Sequence, residues 1–455
     1  MAKSDTNAAA KQDRSIGRER IACLKKIVQK KQLKQIVRRR RLDKRHSKKC
    51  PAYLMVWFNI AIWFFGSDCY TQVFRLLHRF SKEFTPTSSA LTQARAKIGV
   101  PIMADIYRAV VRCLCSEQTP DSFYAGRRLV AVDGFVLNLP DSLDNRRAFG
   151  RPKNGSSFGA FPQVRIVALC EVGSHVFFNF LAKPIRCGEV SLAKHVYRGL
   201  PTHSLLLFDM GFCAYELMQQ VIDGGSDFLG RAKTNRCFER HQELSDGSYL
   251  SKIYRTDYDR THDLSGTVVR VIEYTLDDPQ RVGHGEKHRL VTTLLDEQEH
   301  PAETLIVLYH ERWEEEIAID EAKTHLRSQP TLRSHRPAGV LQEVYGMLIA
   351  HFVIRKLAFE AAQKANISPR SISFTGTINV LRARLPEAPR SDRLIGQWYE
   401  LLLEEISLEV LGPRRNRINP RVIKRPQSKW AKKRQKHRNL PPLKHKFDES
   451  ILRVA

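Results

Sequence analysis

The segment Leu308–Leu326, LYHERWEEEIAIDEAKTHL, carries the side chains best suited to chemistry. Wound as a helix at about 100° per residue, Tyr309, Arg312, Glu316 and Lys323 fall at roughly 0°, 300°, 340° and 320°. Glu314 and Glu315 turn to roughly 140° and 240°, so one carboxylate is singled out from a run of three. A single acid between a phenol and two cations suits a divalent metal beside a phosphate. The acid binds the metal and the cations bind the phosphate. The competing account is a solvated face laced with i,i+3 and i,i+4 ion pairs. If the helical phase holds, Glu315→Ala matters little where Glu316→Ala is severe.

Partners for Glu316 are sought in the elements upstream. Arg127–Pro140 reads as strand-like, with β-branched and apolar residues around a lone Asp133, followed by Gly134. Phe161–Glu171 and His175–Lys183 continue it as a meander. Gly188–Leu200 reads as a helix, Ser204–Phe208 as a short buried strand ending on Asp209, Tyr215–Ile222 as a helix and Asp227–Ala232 as a strand. Three strands, helix, strand, helix, strand is a mixed α/β sheet. Asp133 within one strand and Asp209 at the end of a neighbour bring two carboxylates to one sheet surface. Alternatively, Asp133 is a turn residue and Asp209 a helix N-cap.

The 455 residues suggest about three domains by length. Charge is concentrated in two arms: 13 Lys/Arg against one acid over residues 25–49, and 14 against none over 414–446, together +26 of the net +27. A near-neutral body with two basic arms binds polyanions by counterion release. A membrane surface is the rival polyanion, but neither arm adjoins a convincing anchor. Tyr53–Phe65 is apolar yet short of the ~20 residues a span needs, and Asn59 interrupts it. The N-terminus lacks signal-peptide architecture. Nine scattered Cys without CxxC or zinc-finger spacing read as reduced, in a cytoplasmic protein.

The chain divides into helices with a basic arm (1–120), the first part of a core (121–234), a β-rich insertion (235–302), the last part of the core with the Glu316 helix (303–365), and C-terminal helices with a basic tail (366–455). Residues 21–42 read as one basic amphipathic helix.

VAVDGFVLNLPDSLDNRRAFG (130–150), LLLFDMGF (205–212) and the spacing Tyr309-x2-Arg312-x3-Glu316-x6-Lys323 resemble the three catalytic segments of DDE transposases of the bacterial insertion-sequence-4 family. Further similarity runs over roughly residues 55–440 and includes FLGRAKTN and RINPRVIKRPQSKW. The resemblance implies an α/β, ribonuclease-H-like catalytic core with a β-rich insertion, preceded by a helical DNA-binding domain and followed by a helical piece and basic arm. It implies Asp133, Asp209 and Glu316 as the metal-binding and catalytic triad, and Mg²⁺, two ions, with Mn²⁺ as substitute. Tyr309, Arg312 and Lys323 would grip DNA phosphates, with Arg231 and Lys233 as weaker candidates. The implied activity is cleavage at an element's terminal inverted repeats and joining of the 3′-OH ends to target double-stranded DNA, by a homodimer. Two departures stand out, Phe135 and Met210, where relatives often carry a hydroxyl and a basic residue. No Trp lies between Trp63 and Trp313, so stacking on a flipped base would fall to Tyr249, Tyr254, Tyr258 or Tyr274. A catalytically inert DNA-binding relative, or a nuclease that cuts without joining, would share these features.

Overall fold

The computed structural model describes residues 24, 26–42, 50–77, 86–155, 157–233, 236–275, 285–327, 329–389 and 391–412. The basic tail at 414–446 and the end of the first basic arm at 43–49 lie outside the described residues.

Four helices come first: α1 (Lys30–Arg39), α2 (Ala52–Phe64), α3 (Tyr70–Leu77) and α4 (Ser88–Val110). The basic helix α1 is shorter than the 21–42 expected. The apolar run of α2 is buried along its length. Its Asn59 is satisfied by donating to the Met55 carbonyl at 2.9 Å and accepting from Arg95 at 2.6 Å. The two helices expected around residue 100 meet at a kink in α4, where Gly99 takes φ 74° and Pro101 follows.

Strands β1 (Arg127–Asn138), β2 (Gln163–Glu171) and β3 (Val176–Pro184) form an antiparallel meander. Helix α5 (Glu189–Val196) crosses to β4 (Ser204–Phe208), and α6 (Tyr215–Asp223) to β5 (Asp227–Arg231). β4 runs parallel to β1, and β5 parallel to β4. The order β3-β2-β1-β4-β5 is the ribonuclease-H-like arrangement. β4 is buried at every position, which is why it reads as a continuous apolar run rather than an alternating one. Gly230 lets β5 close on β4, because a Cβ there would lie 1.9 Å from the Phe208 ring.

Strands β6 (Gln242–Glu243), β7 (Tyr249–Ile253), β8 (Thr267–Thr275) and β9 (Lys287–Thr292) do not make a sheet of their own. β9 pairs antiparallel with β5, Leu290 opposite Arg231, so the insertion prolongs the core sheet in the order β5-β9-β8-β7-β6.

The chain then enters α7 (Ala302–Tyr309), a 3₁₀ turn (His310–Arg312), α8 (Trp313–Asp320) and a π turn (Glu321–His325). The expected single helix is thus one helical path whose winding changes three times. Helices α9 (Pro337–Ala365), α10 (Phe374–Arg384) and α11 (Asp392–Ser407) follow. α9 is long and apolar enough to cross a membrane, but 72% of its apolar window is buried inside the fold. One core holds residues of α1–α4, α8–α11 and one face of β1–β3. Helices from opposite ends of the sequence therefore share an interior around α9. Gly346 of α9 allows the closest approach, since a Cβ would lie 2.4 Å from the Asn59 carbonyl oxygen of α2. Each Leu, Ile or Phe buried there contributes about 1.5–3 kcal/mol. On the sheet, α5 and α6 cover one face and α7 the other.

Candidate active site

Strand register brings Asp133 and Asp209 together. On β1 and β4, Ala131 pairs with Leu207 and Val132 with Phe208. The two aspartates follow next, on strands about 4.8 Å apart. Alternation turns both toward the face where Ala131 and Leu207 meet Leu305 and Tyr309 of α7. Each spends one carboxylate oxygen on local backbone. Gly134 N–H donates to Asp133 Oδ1 at 2.6 Å, and Gly211 N–H to Asp209 Oδ1 at 2.8 Å.

Glu316 faces this pair from α8. Its Oε1 accepts from Arg312 Nη2 at 2.9 Å, while Arg312 Nη1 lies 4.0 Å from Asp133 Oδ2. One guanidinium is thus shared by two carboxylates from opposite walls. Among the described residues, no three His, Cys, Asp or Glu side chains close around one point as a ready metal site. Asp133, Glu316, Lys323, Trp313 and Glu189 line an open cleft of about 690 Å³.

The electrostatics point to one shared site. Burial, with Asp209 and Glu316 as further like charges, pushes the Asp133 carboxyl up to about 6 against the opposing Gly134 N–H and Arg312. Burial works against the Arg312 charge too, but Tyr309, Glu316 and Asp133 outweigh it and hold that guanidinium above its ordinary value. Burial, helped by the Arg327 charge, lowers Lys323. Tyr309 is pushed up to about 12 by burial, and its hydroxyl donates to the Phe208 carbonyl at 3.2 Å, beside Asp209.

The secondary candidates separate. Arg231 continues the sheet face that carries Asp209, lies near enough to Tyr309 to influence its phenol, and meets His288 Nδ1 at 2.8 Å. Lys233 is exposed and neighbours Cys213 rather than the acids. Of the four tyrosines considered for stacking, Tyr249 is buried under Arg240. Tyr254 donates to Asp263 at 2.6 Å, and Tyr258 is exposed against His262. Tyr274 lies beside His288, on the Arg231 and Tyr309 side.

Sequence reasoning missed Glu189, which approaches the cleft from α5 and pairs with Arg165 at 3.6 Å. It had no local signal, being one of many surface acids. It also passed over Glu321, whose spacing from Glu311 and Glu314 marks a second acidic stripe.

The strand order, with one acid inside β1, another just past the end of the neighbouring β4 and a third on α8, is that of the core used by DDE transposases. A family model described as Transposase DDE domain matches residues 124–353, and one described as Insertion element 4 transposase N-terminal matches residues 18–108. The first spans just over half of the chain, which belongs to the DDE transposases of the insertion-element-4 type. The chain is 26% identical over 385 residues to "Transposase InsG for insertion sequence element IS4" of Escherichia coli (strain K12), covering 83% of this chain and 86% of that protein. It is 30% identical over 131 residues to "Putative transposase InsZ" of the same organism, 29% of this chain and 44% of that one. A solved structure, "Cryo-EM structure of piggyBac transposase synaptic complex with hairpin DNA (SNHP)", aligns over 84% of this chain and 85% of its own at 11% identity and a TM-score of 0.41.

Proposed function

We propose that this chain binds the terminal inverted repeats of an insertion element, cuts there and joins the freed 3′-OH ends to target DNA. The observation that carries the proposal is the side-by-side register of Asp133 and Asp209 beneath Glu316, with Arg312 between. Three carboxylates, two of which act as like charges on Asp133, are an all-oxygen donor set, which fits hard divalent cations. Asp133, Asp209 and Glu316 would hold Mg²⁺ or Mn²⁺, which when bound supplies charge stabilisation for both the attacking and the leaving oxygen.

The chain's own groups supply orientation and counter-charge. Arg312 offers a planar fork that fits phosphate oxygens two at a time, whereas Lys323 acts as a point charge across the same cleft. Tyr309 is fixed by its bond to the Phe208 carbonyl and buttresses the strand end that carries Asp209. Arg231, with Tyr274 and His288 beside it, extends the cationic surface onto the insertion strands. The basic arms would add sequence-independent affinity. Two copies would pair the two ends, acting on nucleoid DNA in a bacterial cytoplasm.

The test is to incubate the protein with Mg²⁺, a duplex carrying the element's terminal repeat and a target plasmid. Joined product is expected. Nicks without joining would reduce the proposal to a nuclease, and binding without nicks to an inert DNA-binding protein.

A further inference from the structure

The segment bearing Glu316 has a second face. Glu311, Glu314 and Glu321 recur on the side away from the cleft, at about 200°, 140° and 120° of helical phase where Tyr309 is 0°. Each has a basic partner from another part of the chain. Glu311 pairs with Arg370, beyond α9. Glu314 Oε2 meets His175 Nε2 at 2.8 Å, in the turn between β2 and β3. Glu321 is forked by Arg355 of α9: Nε donates to Oε2 at 2.8 Å and Nη2 to Oε1. His351, one turn earlier on α9, meets Glu321 Oε2 at 3.1 Å. His175, Glu314, Glu321, His351 and Arg355 are all at least 96% buried.

The hydrogen bonds run in one direction. His175 Nδ1 lies 2.6 Å from Arg355 Nη2 and 3.1 Å from Glu321 Oε1; a guanidinium can only donate, so Nδ1 accepts the shorter contact and the longer one is an approach without a proton. The ring proton is then on Nε2 and is given to Glu314. His175 takes φ 60° in the turn between β2 and β3, a left-handed conformation that His enters more readily than most side chains. One guanidinium thereby holds Glu321 directly and Glu314 through His175. Glu316 lies between these two anchors on the opposite face, and Lys323 follows within the π turn that Glu321 opens.

Such an assembly is a poor way to gain stability. Burying these charges costs several kcal/mol each before their attraction repays it, and well-packed apolar replacements are often neutral or better. What a buried ionic network can add is a unique rotation and depth for the helix it holds.

We propose that Arg355 is a positioning residue for the catalytic helix. Through Glu321, and through His175 to Glu314, it fixes the rotation that presents Glu316 and Lys323 to the cleft. The proposal rests on the reading of Glu316 as a metal-binding acid.

The test compares the full-length chain with Arg355→Lys and with the double variant Arg355→Met, Glu321→Gln, which removes both charges of that pair together and leaves Glu314 its hydrogen bond from His175. Melting temperature, affinity for an end duplex, Mn²⁺ binding by calorimetry and single-turnover nicking are measured on each. The double variant is expected to melt and bind DNA like the parent. Its Mn²⁺ affinity falls about tenfold, and its nicking about 100-fold, as for a displacement of about 1 Å. Arg355→Lys, which keeps the charge and one donor, recovers part of both losses. Unchanged Mn²⁺ affinity and nicking in the double variant overturn the proposal, as does a loss of DNA binding and melting in step with nicking. A parent chain that binds Mn²⁺ but never nicks sinks the functional reading alone, and the Mn²⁺ comparison still decides the role of Arg355. A parent that binds no Mn²⁺ overturns both.

Discussion

Asp133 and Asp209 occupy equivalent positions on neighbouring parallel strands, each one residue past the last paired couple, Val132 and Phe208. Seventy-six residues separate them in sequence, and a hydrogen-bonded register removes that separation. Asp133→Ala, Asp209→Ala and Glu316→Ala should each lower nicking of an end duplex by at least about 1000-fold. End binding in a gel-shift assay should stay within a few-fold, because no arm residue is touched. A variant of any of the three that still nicks at the parental rate would remove that residue from the site.

Asp133 also has a stability cost. A carboxyl whose value is raised to about 6 on folding holds its proton more tightly in the folded state. Its ionised form therefore destabilises the fold above pH 6, and the penalty disappears below the ordinary carboxylate range near pH 4. With Asp133 24% exposed, the penalty is discounted for solvent screening to about 1–2 kcal/mol. Asp133→Asn, which mimics the protonated form, should raise the melting temperature at pH 8 and leave it unchanged at pH 4. The reverse pH trend would contradict the site's electrostatics.

Glu315 is wholly buried, and its carboxylate oxygens make no well-formed hydrogen bond, the nearby Asp133 backbone only partly opposing the effect of burial. Burial, then the Asp133 charge, pushes its carboxyl well above the ordinary range. The sequence expectation was that Glu315→Ala would matter little. A buried acid without a well-formed hydrogen bond costs stability, and Ala would leave a cavity in its stead. Glu315→Leu fills the space without the acid and should raise stability by about 1–2 kcal/mol in denaturant melts. Nicking by this variant should stay within a few-fold of the parent. Loss of nicking as complete as that of Glu316→Ala would assign the third acid to Glu315 instead.

Lys323 and Arg327 lie beside each other, and burial holds both side chains below their ordinary values. Two adjacent cations at the edge of an acidic cleft are suited to a phosphate backbone. Lys323→Ala should reduce the slope of log affinity for an end duplex against log salt by about one. Removing residues 413–455 should reduce it by several, since that tail carries many more cations. Salt titrations of the three proteins check both, and identical slopes would exclude these groups from the DNA interface.

Much of this was written locally in the chain. The spacing of Tyr309, Arg312, Glu316 and Lys323 gave their common face, because helical phase depends only on neighbours a few residues away. Even the change to a π turn leaves Lys323 in the cleft with Glu316. The all-apolar runs at Leu129–Val132 and Leu205–Phe208 marked interior strands, and each led straight to an aspartate. What no local pattern could give was pairing between distant segments. That the insertion joins the core sheet depends on β9 finding the free edge of β5. That α1–α4 and α9–α11 share one interior depends on α9 being buried along most of its length, which its apolar residues signal without naming partners. No local pattern pairs Glu314 and Glu321 with His175 and Arg355, up to 146 residues away, which only the packed fold brings against them. Charge on a helix declares its phase in the sequence; whether water or a buried cation answers it is decided only when the rest of the chain has packed.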